Sequence, residues 1–321
     1  MGRPLAALLA LLLAGLAGCG GSGDDPQERP PAASACDQVA TPGDAAAIAS
    51  MMNRLDPGQT GCLRGGDYRG SLELTTRGTG SQPITLRSYP GETARVIGDV
   101  WLKRESAYLV IRGLVLDGRN DRGQPSPTVN GEHIEFVDND VTNQHTGICF
   151  DLGHPLYGTA RDITIRDNRI HDCGRLPRTN HDHGIYVGLA RDTRIVGNRI
   201  YDNADVGVHM YPDAQGTYVA GNVIESNGEG VLFGGDEDSA PRDNLVERNV
   251  IRDSRARYNV ESHFEPGGPV GEDNVVRSNC IEGGVRDEHG SGGIAPQFGF
   301  EATGNVTEPG RACRALLRAP S

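Results

Sequence analysis

The sequence predicts an all-β fold, a single-stranded right-handed parallel β-helix with three short strands per coil and an N-terminal capping α-helix. A phrase with apolar residues at alternate positions, a polar pair, an asparagine and a further apolar residue recurs six times between residues 133 and 279. Alternation of this kind is typical of strands, and self-similarity at a period of roughly 20–30 residues is typical of stacked units. No copy has helical periodicity, which argues against a helical solenoid. The repeated asparagines are Asn139, Asn168, Asn198, Asn222, Asn249 and Asn279.

The repeated asparagines are predicted to be structural. At a tight bend, asparagine tolerates left-handed backbone geometry, and its amide can bond to nearby backbone. Identical amides stacked one coil apart, about 4.8 Å along the axis, can also form a ladder. We therefore expect the asparagines to mark one corner of every coil.

The N-terminal segment has the character of an export signal. Residues 1–18 contain one arginine followed by an apolar run that ends in small residues and is too short to span a bilayer. Leu16 to Cys19 resembles a bacterial lipobox, so we expect lipidation at Cys19, a flexible tether over residues 19–35, and an exported protein anchored to the cell envelope through its lipid. An ordinary signal peptide with an incidental cysteine is the alternative.

The cysteine count fits an exported protein. Seven cysteines become six when Cys19 is reserved for lipid. Six cysteines permit 15 pairings. Proximity in the sequence favours three local disulfides, Cys36–Cys62, Cys149–Cys173 and Cys280–Cys313.

The first coil needs a cover, because an open solenoid end exposes apolar core and unpaired strand edges. We expect residues 36–60 to form this cap around a helix at 41–55. Thr41 and Asp44 have the spacing of a capping box, with Pro42 in the first turn. The solenoid is then expected over residues 61–305 and a C-terminal tail over 306–321.

The charge balance limits the possible partners. The formal net charge of −12 argues against a nucleic-acid-binding surface. Local arginine clusters could still bind an anionic polysaccharide. Lys103 is the only lysine of the chain, so any lysine-dependent mechanism would have to use it. We expect a monomer.

The opening coils resemble those of the pectate-lyase-like superfamily, and in particular its chondroitinase B and alginate lyase group. The resemblance is carried by the pattern PG-x-T-x-x-L-x-x-G-x-Y from Pro57, by PITLRS and by YLVIRGLVLDG, and it extends over residues 57–305. It implies the β-helix fold and a polysaccharide substrate. The Lys-Ser and Arg-His-Gly contexts of chondroitinase B-like lyases are missing, so no catalytic residue is carried over.

The first strand of each coil is flanked by the longest insertions, which predicts a groove along it. Alternation in GIYV and GVHM directs Tyr186 and His209 outward on adjacent coils, about 4.8 Å apart. The same count directs Cys149, Leu232 and Glu261 outward. With the insertion that ends in NHDH, the predicted face holds the candidate catalytic residues His183, Tyr186, His209, Tyr211, Glu261 and His263.

These residue types suit β-elimination on a uronate polysaccharide. A base removes the C5 proton and an acid protonates the leaving oxygen, roles that histidine and tyrosine can fill near neutral pH. We expect His209 or His183 as base and Tyr186 or Tyr211 as acid. The sugar carboxylate must be neutralised by calcium or by arginine, and we expect Arg178 or Arg255 near it. The candidate substrate-binding residues are Asp151, Arg178, His181, Asp182, Asp213 and Arg255.

Three other functions fit the same residues. A glycoside hydrolase could pair two carboxylates among Asp151, Asp182, Asp213 and Glu261. A lipid-anchored protein could bind glycans or serve a structural role at the surface without cleaving them. His181, Asp182 and His183 could also chelate a metal ion.

Overall fold

The computed structural model describes residues 36–283, 293–295, 298–307 and 313. The predicted signal peptide, its Cys19, the tether and most of the predicted tail lie outside these residues. Within the described part, no helix has the length and apolar character needed to cross a bilayer.

The chain forms an all-β right-handed parallel β-solenoid of about ten turns. Its strands, β1 to β29 in chain order, stack in three parallel columns. The first column holds β5 (Leu72–Leu74), β8 (Val100–Leu102), β11 (Thr128–Val129), β14 (Phe150–Leu152), β17 (Ile185–Arg191), β20 (Val206–Gln215), β23 (Glu229–Gly235) and β26 (Val260–Phe264).

The other two columns complete each coil. The second holds β1 (Gln38–Ala40), β3 (Thr60–Leu63), β6 (Ile84–Ser88), β9 (Ala107–Arg112), β12 (Glu132–Val137), β15 (Ala160–Arg166), β18 (Arg194–Val196), β21 (Tyr218–Ala220), β24 (Leu245–Glu247), β27 (Val275–Arg277) and β29 (Glu301–Thr303). The third holds β2 (Gly43–Asp44), β4 (Gly66–Arg69), β7 (Ala94–Ile97), β10 (Val115–Asp117), β13 (Asp140–Thr142), β16 (Arg169–His171), β19 (Arg199–Tyr201), β22 (Val223–Glu225), β25 (Val250–Arg252) and β28 (Cys280–Glu282).

Alternate residues of each strand fill the core. In the first column, Ile185 lies beside Val208 and Val187 beside Met210, and all four side chains are buried. Burying aliphatic side chains stabilises the fold by roughly 1.5–3 kcal/mol each. The outward residues between them are left free to form a surface, as the alternation predicts.

The predicted asparagine ladder lies at the corner between the second and third columns. The Asn168 side-chain N–H donates to Oδ1 of Asn198 (3.0 Å), and Asn198 donates to Asn222 in the same way (3.0 Å). The same Oδ1 of Asn198 also accepts from the backbone N–H of Asn168 (2.9 Å). The ladder runs from Asn139 to Asn305.

One detail of the ladder prediction is wrong. The left-handed residue at this corner is the one before each asparagine, such as Asp167 at φ 59° or Gly197 at φ 68°. The asparagines themselves are outside the left-handed region, because their side chains must point into the coil to reach the next amide. Two further ladders, Asn203–Asn227 and Asn244–Asn274, occupy other corners and were not predicted.

The N-terminal segment differs from its prediction. Helix α1 spans only Ala46–Met52, and its N-cap residue Ala45 makes no side-chain cap bond, although Oδ1 of Asp44 accepts from the backbone N–H of Ala46 (2.8 Å). Thr41 and Asp44 form no capping box, because Gly43–Asp44 pairs as a strand with Tyr68–Arg69. The predicted cap, residues 36–60, thus contains two strands as well as the helix. The helix buries Ile48, Met51 and Met52 against the first coils.

The three disulfides join the predicted partners. They are Cys36–Cys62, Cys149–Cys173 and Cys280–Cys313, which are 26, 24 and 33 residues apart. Disulfides of this kind are typical of proteins that fold in oxidising compartments. In the chain-entropy model, each stabilises the fold by roughly 3–4 kcal/mol.

Replacing Asn198 by alanine tests the ladder. The change leaves the buried N–H groups of Asn168 without their acceptor, and each unsatisfied group costs about 1–3 kcal/mol. We therefore expect Asn198→Ala to lower the free energy of unfolding by about 2–5 kcal/mol in chemical denaturation. Asn305→Ala, at the partly exposed end of the ladder, is the matched control and should lose less. Equal losses would contradict the cooperative ladder.

Candidate active site

The outward side chains of the first column form one continuous row. Strand pairing places each member beside the next on adjacent coils. In order they are Glu73, Trp101, Thr128, Asp151, Tyr186, His209, Leu232 and Glu261. Neighbours in such a row are about 4.8 Å apart. The predicted neighbours Tyr186 and His209 are therefore adjacent in the structure.

Cys149 is not part of the row, contrary to the prediction. It is fully buried and bonded to Cys173, and Asp151 takes the place beside Tyr186. The prediction aligned GICF with GIYV, but β14 begins at Phe150. The strand register is therefore two residues further along than the sequence match suggests.

A cleft of about 590 Å³ lies over this row between the flanking loops. All six predicted catalytic residues line it, as do the predicted substrate-binding residues Asp151 and His181. Four of the six carry ring nitrogens or hydroxyls close to one another. The centroid of the Tyr186 ring lies 5.6 Å from that of His209, and the His209 centroid lies 5.3 Å from that of Tyr211.

His183 and His209 form a buried hydrogen-bonded pair. The Val206 backbone N–H donates to Nδ1 of His183 (3.4 Å), so this nitrogen carries no proton. The protonated Nε2 of His183 then donates to Nδ1 of His209 (3.0 Å). His209 in turn carries its own proton on Nε2, which lies above Gly234. The pair therefore presents an N–H donor to the cleft.

Both histidines are neutral at physiological pH. Burial, with smaller contributions from His181 and Arg178, lowers the pKa of His183 to about 3. Burial also lowers the pKa of His209 well below its usual range, with a further contribution from His183. Desolvation disfavours the charged imidazolium, which explains the direction of both shifts.

Asp205 fixes the loop that carries His183. Its buried carboxylate accepts from Nε of Arg178 (3.1 Å), from the hydroxyl of Thr179 (3.3 Å) and from the backbone N–H of Asp182 (2.9 Å). These three hydrogen bonds restrict the backbone between Arg178 and Asp182. His183 is the next residue, and its ring is hydrogen-bonded to His209.

Glycine at position 234 allows the rings of His209 and Tyr211 to pack closely against the backbone of the sheet. A Cβ there would come within 3.0 Å of Nε2 of His209 and 2.9 Å of the Tyr211 ring.

Burial raises the pKa values of Tyr186 and Tyr211, with smaller contributions from nearby acidic groups. Both phenols are therefore protonated at neutral pH and can donate.

Asp151 is an acid whose proton is held unusually tightly. Burial raises the pKa of its carboxyl to about 7. No hydrogen bond to this carboxyl is found among the described residues, so desolvation is not offset by a bonded donor. A carboxyl with a pKa near neutrality can both accept and release a proton at working pH.

Glu229 holds a proton beside Glu261 at the far end of the cleft. Burial and a hydrogen bond with Glu261 raise the pKa of Glu229 to about 8. Oε1 of Glu261 is buried with no other partner, so a proton on Glu229 satisfies it. Arg257 donates to the other oxygen of Glu261 (2.8 Å).

The remaining predicted substrate-binding residues do not line the cleft. Asp182 is bonded to Nε of Arg175 (2.6 Å), and Arg178 is paired with Asp205 and Glu229. Asp213 lines a separate cavity of about 460 Å³ and is paired with Arg191 (2.6 Å). Arg255 donates to the backbone oxygen of Asn203 (3.1 Å). Internal ion pairs and backbone contacts therefore occupy these groups.

The predicted metal chelate at His181–His183 is not assembled. Asp182 is turned to Arg175 and His183 to His209, so the three side chains diverge. Among the described residues, the one group with three potential ligand atoms close together is Cys280, Glu282 and Cys313. Its two cysteines form a disulfide, which removes their thiolates.

Sequence reasoning missed Glu229, Arg257, His154 and Asp205. Glu229 occupies the register position of Val206 in the preceding coil. A charged residue at an apolar position of the repeat is the signal that could have identified it. No sequence pattern could have identified Asp205, because its partners Arg178, Thr179 and Asp182 lie in an insertion outside the repeat.

The family follows from a comparison with known proteins. A family model described as a right handed beta helix region matches residues 128–296, more than half of the chain. The chain belongs to the right-handed β-helix family. This agrees with the resemblance of its opening coils to the pectate-lyase-like superfamily. No curated protein matches the sequence.

Solved structures with the same fold include polysaccharide lyases. An alginate lyase from Paenibacillus sp. strain FPU-7 is similar with a TM-score of 0.65 and 19% identity, covering 85% of this chain and 96% of that one. Pectate lyase Pel9A has a TM-score of 0.60 and 12% identity, covering 86% and 80%. At these identities the likeness concerns the fold.

Asp151→Asn tests the raised pKa of Asp151 through stability. The folded-state pKa of about 7 lies well above the usual value of an aspartate. The contribution of Asp151 to wild-type stability should therefore fall as the pH rises from 4 through 7. We expect the amide variant to unfold with a free energy about 2–4 kcal/mol higher than wild type at pH 8 and nearly equal at pH 4. A gain that is the same at both pH values would contradict the raised pKa.

Proposed function

We propose that this protein is a polysaccharide lyase that cleaves a uronic-acid-containing polysaccharide by β-elimination. One observation carries the proposal: Asp151, Tyr186 and His209 occupy three adjacent positions of the row in one cleft. They supply a titrating carboxyl, a protonated phenol and a neutral imidazole N–H. These are the three groups that the reaction uses.

The reaction removes one proton and supplies another. The C5–H bond breaks and its proton passes to a base, while the electron pair forms the C4–C5 double bond. The C4–O bond then breaks, and the leaving oxygen takes a proton from an acid. Negative charge builds on the sugar carboxylate as C5 loses its proton, so a donor to that carboxylate lowers the barrier.

Asp151 is the base in this proposal. Its pKa of about 7 means that about half of the molecules hold a carboxylate at neutral pH. The sequence favoured His209 or His183 as base instead. Both ring nitrogens of His183 are bonded, and the proton on Nε2 of His209 faces the cleft, which argues against either as the acceptor.

Tyr186 is the acid, and His209 binds the sugar carboxylate. The raised pKa of Tyr186 keeps its phenol protonated until the leaving oxygen develops charge. The Nε2–H of His209 is directed into the cleft by His183, which makes His183 a positioning residue. Tyr211, His181 and His263 border the same cleft and can bind further sugar hydroxyls. A calcium requirement stays a prediction, and activity after treatment with a chelator tests it.

Carboxyl spacing disfavours a glycoside hydrolase. Hydrolases place their two carboxyl groups about 5–9.5 Å apart. Asp151 and Glu261 are four strands apart in the row, or about 19 Å. Glu229 and Glu261 are hydrogen-bonded, which leaves no space for a water or a sugar between them.

We also infer the roles of the segments around the solenoid. The three disulfides support export, and lipidation of Cys19 would hold the protein at the cell envelope. Helix α1 covers the apolar end of the first coils, where Met51 and Met52 surround Gly61. The protein acts as a monomer, since one chain supplies the complete cleft.

Two variants test the reaction on a panel of uronate polysaccharides. Wild type should generate the ultraviolet absorbance of an unsaturated uronate. Tyr186→Phe and Asp151→Asn should each lower kcat at least about 100-fold, because each removes one proton-transfer group. Asp213→Asn is the matched control, since Asp213 lies in the separate cavity, and it should keep wild-type turnover.

Other outcomes identify the competing functions. Release of reducing ends without the absorbance would indicate hydrolysis. Glycan binding without either signal would indicate a binding module. Wild-type turnover in both Tyr186→Phe and Asp151→Asn would remove the assigned site even if elimination occurs.

A further inference from the structure

The row continues beyond the proposed catalytic residues into a second cavity. This cavity of about 380 Å³ shares Asp151 and His154 with the first one. Trp101, Tyr157 and Thr128 contribute to its lining. The two cavities are therefore consecutive parts of one groove that runs along the solenoid axis.

Trp101 stands three strands from Tyr186 in the row. The steps are Trp101 to Thr128, Thr128 to Asp151 and Asp151 to Tyr186, so the distance along the axis is about 14 Å. A pyranose residue in an extended polysaccharide is similar in length to one such step. A sugar on Trp101 would thus be three residues from the one at Tyr186.

The indole is held in a fixed orientation. Its Nε1–H donates to Oδ1 of Asn130 (2.8 Å), and Asn130 also donates to the backbone oxygen of Gly158 (3.1 Å). The Tyr157 ring meets it edge-on with centroids 5.3 Å apart, and His154 stacks on Tyr157 at 4.7 Å. This aromatic wall is ordered before any ligand arrives, which lowers the entropy cost of binding.

The charges around the wall are already paired. Lys103 forms an ion pair with Glu73, and Arg122 forms one with Asp99. Apart from Asp151, the charged side chains of the second cavity are therefore paired. Lys103 lies over the Trp101 ring, 4.8 Å from its centroid, and the ring surface that lines the cavity stands beside hydroxyl partners. This chemistry matches the C–H face of a pyranose ring more closely than its carboxylate.

We propose that Trp101, Tyr157 and His154 form a distal sugar-binding subsite, which makes the protein act on chains of at least four residues. The inference rests on the proposed lyase function for the identity of the chain. The subsite itself is a binding site and does not depend on the cleavage chemistry. It predicts that affinity increases sharply when an oligosaccharide reaches from Tyr186 to Trp101.

Trp101 is the only tryptophan of the chain, so intrinsic tryptophan fluorescence reports on this subsite directly. We would titrate Tyr186→Phe, whose turnover is expected to be at least about 100-fold slower, with alginate and galacturonate oligosaccharides from disaccharide to hexasaccharide. The expected result is a saturable change in fluorescence with at least one series. Tetrasaccharides and longer chains should reach saturation at about tenfold lower concentration than disaccharides, since about 1.4 kcal/mol of extra contact corresponds to a factor of ten.

Kinetics supply the second measurement. Trp101→Ala should lower kcat/KM about tenfold on the hexasaccharide, by a smaller factor on the disaccharide, and through KM rather than kcat. Trp101→Phe should restore most of the loss, because it keeps an aromatic face. Leu156→Ala is the control variant. Leu156 lies between His154 and Tyr157 in the sequence, but its side chain is 74% exposed and does not line the cavity.

The outcomes separate this inference from the lyase proposal. Cleavage of oligouronates with no fluorescence change at any length would overturn the subsite and leave the lyase intact. A length-dependent fluorescence change without cleavage would support the subsite and refute the lyase. Equal effects of Trp101→Ala on short and long chains would also overturn the subsite.

Discussion

Parallel stacking of one coil on the next is the constraint on which the rest of this structure depends. Each ladder asparagine satisfies a backbone N–H and an amide of its neighbour, so a coil cannot slide along its strand without leaving buried polar groups unpaired. That fixed register turns separate residues, 23 to 35 positions apart in the sequence, into one row. Asp151, Tyr186 and His209 are adjacent because the ladder on the opposite corner holds their coils in step.

Insertions convert this row into a chemical site. The loop before β17, which Asp205 anchors, closes over the first column and removes water from His183 and His209. Burial then separates the protonation states: it lowers the pKa of both histidines and raises the pKa of Asp151 and Glu229. Desolvation and fixed hydrogen bonds thus make His209 a neutral N–H donor near Asp151, whose carboxyl has a pKa of about 7. Burying these polar side chains destabilises the fold, and the apolar core around them offsets this loss.

Much of this could be predicted from the sequence, and the limits have physical causes. Alternation directs Tyr186 and His209 outward because strand geometry is local, and nearness in sequence identified the disulfide partners. The register of β14 was wrong by two residues, since GICF and GIYV match in letters while β14 begins at Phe150. Arg178 and Arg255 were expected at the substrate, yet partners from other coils occupy them. The proton on His209 also depends on Val206, a three-dimensional contact that no motif encodes.

The pH dependence of kcat/KM on a cleaved uronate oligosaccharide tests the central assignment most directly. If Asp151 is the base, kcat/KM should rise as the pH increases through about 7, where its carboxyl loses its proton. Asp151→Asn should abolish this rise along with most of the turnover, and Asp213→Asn should retain both. A profile that is flat through pH 7, or a rise that persists in Asp151→Asn, would contradict the account.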